Sequence, residues 1–359
     1  MLITNYLSVQ ISGDSHGPAI YGIIENFPFG FSPDIEKINS DLKLRQIGYG
    51  RGKRMKQERD EVQIESGVWK GFTTNMPLVM RILNRGTYPE GSDIRTVPRP
   101  GHADYAAYKK YGNRDLKIYA EGSSARRTVG IVALGSLCRQ WLETKDVFVL
   151  SYVESFGKIK MEKNFEKIDI EELKNRRNES PVFCPDKDIS NNIIKEIDFI
   201  KSKGDTLGGS VKTLVKGFPA GIGSFSSAQT RVDAILSANV FSVPSVKGFF
   251  IGNTETYLNS GISIHDRFEK KGSEINRTSN NAGGIEGGIS NGMPITTTTY
   301  FKPIPSIPSG IKSVDLEKNE EKSVEYVRSD VTAIAPAAIV IEAITSIVMM
   351  DFYLNDGRR

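Results

Sequence analysis

An eighteen-residue block occurs twice in this chain. Residues 13–30 read GDSHGPAIYGIIENFPFG, residues 204–221 read GDTLGGSVKTLVKGFPAG, and the two align without a gap. Gly, Asp, Gly, Phe, Pro and Gly are shared, while Ser15/Thr206, Ile20/Val211, Ile23/Leu214 and Ile24/Val215 are close exchanges. Such a repeat confines the chain to folds built from two like halves, each needing the same kind of apolar face covered.

In both copies a small polar turn leads into β-branched residues and leaves through a Pro-x-Gly turn, the pattern of a strand between loops. Ser32 to Leu44 follows the first copy, with Ile35, Ile38 and Leu42 at helical spacing behind a Ser-Pro start. Ala228 to Val240 repeats that helical pattern after the second. Each half then carries a strand region, Gly67 to Pro77 and Gly288 to Pro294, that runs from Gly-Val or Gly-Ile to Met-Pro. Each half ends on a polar signature feeding a long apolar helix: Ser123–Arg126 into Thr128–Leu142, and Arg328–Asp330 into Ala337–Tyr353. The expectation is an α+β protein, one domain over 1–359, with pseudo-repeats at roughly 1–142 and 204–359. The charged stretch Glu143–Lys203, with its helical-looking DIEELKNRR and SNNIIKEIDFI, reads as a connecting surface excursion. Ile311–Val327 reads as another, and chemistry is expected in neither.

Composition narrows the function. With 38% hydrophobic and 25% charged residues over 359 positions, the chain is an ordinary globular protein and not a disordered or disulfide-scaffold one. The net charge of +4 is too even to announce a nucleic-acid binder. Cys138 and Cys184 stand far apart with no CxxC and no His-rich neighbour, so no metal site is expected and a reducing cytoplasm is the economical location. The N-terminus MLITNYLSVQ lacks the marks of a signal peptide, and the longest apolar stretch, Ala333 to Met350, is interrupted by proline, so no membrane span is expected.

Charge is instead concentrated locally. Residues 43–59, KLRQIGYGRGKRMKQER, thread Lys and Arg with Gly48, Gly50 and Gly52. A basic run is often only a solvated face. Interleaved glycines, however, let backbone N–H groups and guanidinium forks converge on a phosphate or a multi-carboxylate ligand. Two of the three histidines sit in Gly-flanked polar loops, His16 in GDSHG and His102 in RPGHAD. Imidazole gives and takes protons near neutrality, and such loops are where side chains reach ligands. The second repeat carries Leu207 where the first has His16, an asymmetry that packing alone does not predict. His265, in SIHDRF, reads as surface. Ser123-Ser124 suits either an anion site at a helix start or a plain cap. No GxGxxG between strand and helix, no GxxxxGK[ST] and no GxSxG occurs, which removes the Rossmann, P-loop and α/β-hydrolase readings.

Six ordered motifs resemble one family: Gly13–Gly17 (GDSHG), Arg99–Asp104 (RPGHAD), Ser123–Arg126 (SSAR), Asn280–Ser290 (NNAGGIEGGIS), Lys302–Ile307 (KPIPSI) and Arg328–Asp330 (RSD). Together they are similar to the signatures of chorismate synthases, over nearly the whole chain. That resemblance implies a β-α-β sandwich with an internal pseudo-twofold repeat, assembled as a homotetramer. It implies a shikimate-pathway lyase, serving aromatic amino acid biosynthesis, that converts 5-enolpyruvylshikimate 3-phosphate to chorismate and phosphate by 1,4-anti elimination. Reduced FMN is required although there is no net redox change.

Carried over motif by motif, the resemblance implies that His16 protonates the departing phosphate and that His102 sits beside the flavin and governs its protonation. Asp330 accepts or relays the proton that passes from C6 of the substrate through flavin N5. Arg45, Arg51 and Arg54 hold the substrate's anionic groups, with Arg328 contributing from the other half to substrate and cofactor. Ser123, Ser124, Gly287 and the loop Lys302, Pro303, Ile304, Pro305 and Ser306 line the FMN, with backbone from Pro244-Ser245. Some members reduce their own FMN with NADPH, but no dinucleotide fingerprint is present here, so an external flavin reductase is the expected partner. The chain departs from the family at Ile118–Gly122, where many members have Gly-Gly-Gly-Arg, and at Ser329, where many have His. A binding paralogue that had lost the reaction would be expected to lose His16, His102 or Asp330, and all three are present.

Overall fold

The computed structural model describes residues 2–51, 59–86, 94–324 and 330–357. Among the described residues eight main strands form two antiparallel sheets. The first holds β1 (Ser8–Ser12), β2 (Ala19–Glu25), β3 (Val62–Ser66) and β4 (Leu78–Leu83), in the order β1-β2-β4-β3. The second holds β5 (Phe148–Phe156), β6 (Gly209–Lys216), β7 (Val246–Ile251) and β8 (Ile295–Phe301), in the order β7-β8-β6-β5, with a two-residue strand Ile159–Lys160 beyond β5.

The repeated block lands where the alignment puts it. β2 and β6 are the two copies, and they pair in the same register: Ile20 opposite Ile82 and Ile24 opposite Leu78 in one sheet, Val211 opposite Thr299 and Val215 opposite Ile295 in the other. Their other neighbours correspond too, Val9 opposite Ile24 and Val149 opposite Val215. The turn after each strand needs a left-handed residue at the same place, supplied by Asn26 (φ 62°) and Gly217 (φ 75°). Asn is among the few side chains that tolerate that region, which is why the block survives a Gly/Asn exchange there.

Eight helices of seven or more residues accompany the sheets among the described residues: α1 (Ile35–Gln46), α2 (Asp104–Tyr111), α3 (Lys117–Ser123), α4 (Thr128–Glu143), α5 (Ile170–Glu179), α6 (Lys187–Ser202), α7 (Val232–Phe241) and α8 (Ile334–Asn355). α1 begins where the Asp34 side chain accepts the Lys37 N–H, and it places Glu36 in its first turn and Lys43 and Arg45 in its last, matching the helix dipole. α4 packs on β2 and β4, α8 on β5 and β6, and the two helices pack on each other. Their crossing is close because Gly135 of α4 faces the backbone of Ala343 on α8. α8 runs through Pro336, whose missing N–H falls in the first turn, where no intrahelical partner is required. The helix is long and apolar enough to cross a bilayer, but 94% of that apolar window is buried inside the protein.

Glu143–Lys203 is not the surface excursion its charge suggested. Phe148–Phe156 is an almost wholly buried strand of the second sheet, and Leu173, Phe183, Ile193 and Ile197 join the core. Its Arg177 also reaches inward. Glu342 of α8 accepts from Arg139 of α4 at 2.5 Å, from Arg177 of α5 at 2.6 Å and from the Ser151 N–H at 2.8 Å. Arg139 extends the network to Asp41 of α1 at 2.6 Å. Within the expected surface segment Ile311–Val327, residues 311–324 carry a largely exposed hairpin of Lys312–Asp315 with Glu320–Ser323 in which Asp315 is buried, and 325–327 lie outside the described residues.

Candidate active site

A cleft of about 110 Å³ opens where the end of α1, the start of α4, the loops flanking β6, α7 and β8, and the first turns of α8 meet. Its lining is largely apolar, with Leu207, Val243, Ile334, Ala337 and Val340, and includes the cations Arg45, Arg51 and Lys302. Six of the residues expected to bind ligand line this cleft directly: Arg45, Arg51, Pro244, Ser245, Lys302 and Ile304. They come from both halves of the chain.

Arg45 ends α1 and is buried. Its Nε donates to Thr128 Oγ1 at 3.0 Å and an Nη to the Ala125 carbonyl at 3.0 Å, with Asp60 3.6 Å away. The guanidinium is therefore held before any ligand arrives, which lowers the ordering cost of binding an anion. Arg126 of the SSAR motif binds other partners. Its Nη1 donates to both carboxylate oxygens of Asp60, at 2.7 and 2.9 Å, and its Nε donates to Asn84 at 2.7 Å. The glycines after α1 bring Arg51 in. Gly50 (φ 86°) sits against Val331 and Thr332, and the Val331 N–H donates to its carbonyl at 3.1 Å. Arg51 then donates to Asp330 at 2.6 Å.

Ser245 holds a left-handed conformation (φ 73°) just past α7, and its carbonyl accepts the Lys302 N–H at 3.0 Å, so the Pro244-Ser245 turn and the KPIPSI loop are stitched together. Burial, assisted by the charge of Lys247, lowers the Lys302 ammonium below its usual value. Its Nζ donates to the Gly101 carbonyl in the RPGHAD loop. Pro305 also approaches Gly101, and Arg99 reaches Ser306 at 3.5 Å. Pro303 lies between the lining residues Lys302 and Ile304.

His102 thus belongs to a loop bonded to the cleft wall. Its Nδ1 meets Asp104 at 2.5 Å, and Arg99 contacts both ring nitrogens at 3.1 and 3.2 Å while its Nε donates to Asp104 at 2.8 Å. Burial alone pushes the Asp104 carboxyl up, but the bonds from His102 and Arg99 outweigh it and hold the group well below the usual carboxylate range. Asp104 is inside the quoted RPGHAD motif, yet its spacing from His102 did not mark it as the ring's partner.

His16 does not line the cleft itself but is attached to the segment that precedes Ala125. The Glu121 carboxylate accepts its backbone N–H at 2.8 Å and meets ring Nδ1 at 2.6 Å. Ser124 donates to Ser15 at 3.0 Å, one residue before Ala125 of the cleft. Ser123-Ser124 is not a simple helix start: α3 ends at Ser123, whose hydroxyl donates to the Tyr119 carbonyl, and Ser124 caps the 3₁₀ turn Ala125–Arg127 by accepting the Arg126 N–H. Glu121 lies in the stretch that departs from the family, and no motif pointed to it.

Gly287 is not brought to the cleft within this chain. It sits in the hairpin of Ile285–Glu286 with Ile289–Ser290, its carbonyl accepting from Arg231, at the start of α7, whereas Pro244-Ser245 follow the end of that ten-residue helix. Arg54 and Arg328 lie outside the described residues. No group of three or more metal-ligating side chains occurs among the described residues.

Comparison with known proteins gives one answer. A family profile described as chorismate synthase matches residues 7–354. The chain is 46% identical to the chorismate synthase of Thermotoga maritima, covering 98% of this chain and 93% of that protein. It is 38% identical to that of Carboxydothermus hydrogenoformans, over 96% and 92%. A solved structure titled crystal structure of chorismate synthase superposes with a TM-score of 0.78 at 29% identity, covering 98% of this chain and 93% of that one.

Proposed function

The chain belongs to the chorismate synthase family of carbon–oxygen lyases, and we propose that it eliminates phosphate from 5-enolpyruvylshikimate 3-phosphate in 1,4-anti fashion to give chorismate, with reduced FMN as cofactor. The observation that carries this reading is the convergence on one cleft of Arg45, Arg51 and Lys302 with the bonded attachments of His16, His102 and Asp330.

The donor set suits both ligands. The apolar side chains lining the cleft suit a flat ring system, and the cations among them suit phosphate and carboxylate groups. Pro244, Ser245 and Lys302–Ser306 would hold the FMN, with Ser123 and Ser124 nearby; Gly287 would require an approach from outside this chain's own cleft. Reduced FMN, when bound, supplies electron density to the reacting system and recovers it, so no net redox change results.

The remaining work falls to side chains. Arg45 and Arg51 hold the substrate's anionic groups, joined by Arg54 and Arg328. An anion arriving at Arg51 competes with Asp330 for the guanidinium, freeing the carboxylate to take the C6 proton. His16 gives a proton to the phosphate as the C–O bond breaks, and His102, backed by Asp104, keeps a proton beside the flavin.

The repeat supports the finer architecture as well: one domain, two pseudo-twofold related halves and a β-α-β sandwich, with the first half at roughly 1–142 and the second taking in β5 ahead of residue 204. We also read the protein as a cytoplasmic homotetramer served by an external flavin reductase. Exposed Phe29, Trp69, Phe72 and Met76 near the β3–β4 hairpin support a subunit interface, and two buried free thiols suit a reducing compartment. Sedimentation tests the assembly. Anaerobic incubation of enzyme and substrate with reduced or oxidised FMN, following chorismate absorbance and phosphate together, tests the function: product with reduced flavin alone is expected, and no product with either overturns the reading.

A further inference from the structure

One carboxylate holds His16 twice. Glu121 accepts the His16 backbone N–H through one oxygen at 2.8 Å and faces ring Nδ1 with the other at 2.6 Å. The backbone bond fixes the loop, since the neighbouring pair Ser15–Ser124 already pins it to the same short segment. The second bond orients the imidazole. Both side chains are largely withdrawn from water, His16 at 22% and Glu121 at 18% exposure, so solvent competes weakly for either contact. No lysine or arginine among the described residues forms an ion pair with Glu121. The other site histidine is treated alike, with Nδ1 of His102 on Asp104 at 2.5 Å.

We propose that Glu121 is a positioning residue for the reaction: it keeps a proton on Nδ1 of His16, so that the proton exchanged with the leaving phosphate is carried on Nε2. The proposal rests on the role given to His16 above. A carboxylate can only accept, so the nitrogen facing it carries hydrogen in both the neutral and the charged ring. In the elimination the C–O bond breaks with its electron pair on the phosphate oxygen. That oxygen takes the Nε2 proton, and the imidazole is left neutral with Nδ1–H still on Glu121. The carboxylate also balances the imidazolium before transfer, as the acidic member of a hydrolytic triad does.

Glu121→Gln tests this without removing volume. The amide oxygen can satisfy the backbone N–H, which leaves the amide NH₂ facing Nδ1 and demands a lone pair there. Nitrogen NMR of ¹⁵N-histidine-labelled protein, with His16 assigned by its loss in His16→Asn, should show the neutral ring as Nδ1–H in the wild type and as Nε2–H in Glu121→Gln. Glu121→Ala should relax it to a mixture. The kcat of Glu121→Gln should fall about 10–100-fold, the range seen when a ring-orienting partner is lost, with the substrate KM little changed. An unchanged tautomer in both variants, or an unchanged kcat, overturns the proposal. The tautomer is read whether or not the wild type turns over, so absent turnover would count against the lyase reading and not against the positioning of His16.

Discussion

Arg51, which lines the cleft, and Asp330, 279 positions apart in the chain, meet in a 2.6 Å ion pair. One belongs to the glycine-threaded basic loop of the first half and the other to the signature before the last helix. The cation proposed to bind substrate and the carboxylate proposed to accept the proton are therefore coupled before either meets a ligand.

Removing either partner should separate binding from chemistry. Arg51→Ala is expected to raise the substrate KM about tenfold, the loss of one charge-assisted contact. Asp330→Asn should lower kcat by about 100-fold or more, as for a lost general base, with a smaller effect on KM. The double variant should cost less than the sum, since the two groups touch. Strict additivity in steady-state kinetics would contradict the coupling.

Asp104 should make the site's stability depend on acid. It is fully buried, and its carboxyl is held below the ordinary value of 3.8 by His102 and Arg99 against the cost of burial. A depressed folded value means that its contribution is complete above pH 3.8 and is lost as pH falls through the lower folded value. Asp104→Asn should therefore cost about 3 kcal/mol at pH 7, the penalty of breaking a buried pair, and the gap from wild type should narrow in urea denaturation at about pH 3. An equal gap at both pH values would show that the charge is not what Asp104 contributes.

Much of the fold was legible because the repeat is a backbone requirement. The positions of β2 and β6, their flanking left-handed turns and the helices α1, α4, α7 and α8 all follow from glycine and apolar spacing. Glu143–Lys203 misled because its charges were read as solvated, whereas Arg177 is spent on buried Glu342, 165 positions away. Within the site, charged motif residues proposed to bind ligand were visible: Arg45, Arg51 and Lys302 line the cleft. Residues that act by holding another side chain, Glu121 and Asp104, were not, because a carboxylate gains that role only when folding brings it against a ring.

Glu342 joins α4, α5, α8 and β5 through buried bonds. Replacing it with Gln leaves Arg177 without its counter-charge in the core and Arg139 with Asp41 but not Glu342, and a loss of about 3–5 kcal/mol is expected. Thermal or urea unfolding that matched wild type would mean that the network is not stabilising as a charged unit.

Gly135 sets the approach of the two central helices. A Cβ there would lie 2.5 Å from the Cα and the carbonyl oxygen of Ala343. Gly135→Ala should then destabilise the protein by about 1–3 kcal/mol through overpacking, even though alanine favours helix. A rise in melting temperature would instead show that the α4–α8 crossing has room to spare.

The most direct test is a multiple-turnover stoichiometry under strict anaerobiosis. Enzyme with a catalytic amount of fully reduced FMN is given excess 5-enolpyruvylshikimate 3-phosphate, and chorismate, phosphate and reduced flavin are measured together. A redox-neutral elimination in this cleft predicts one phosphate per chorismate over many turnovers, with the flavin still reduced at the end. Product limited to one equivalent of flavin, with that flavin oxidised, would contradict it.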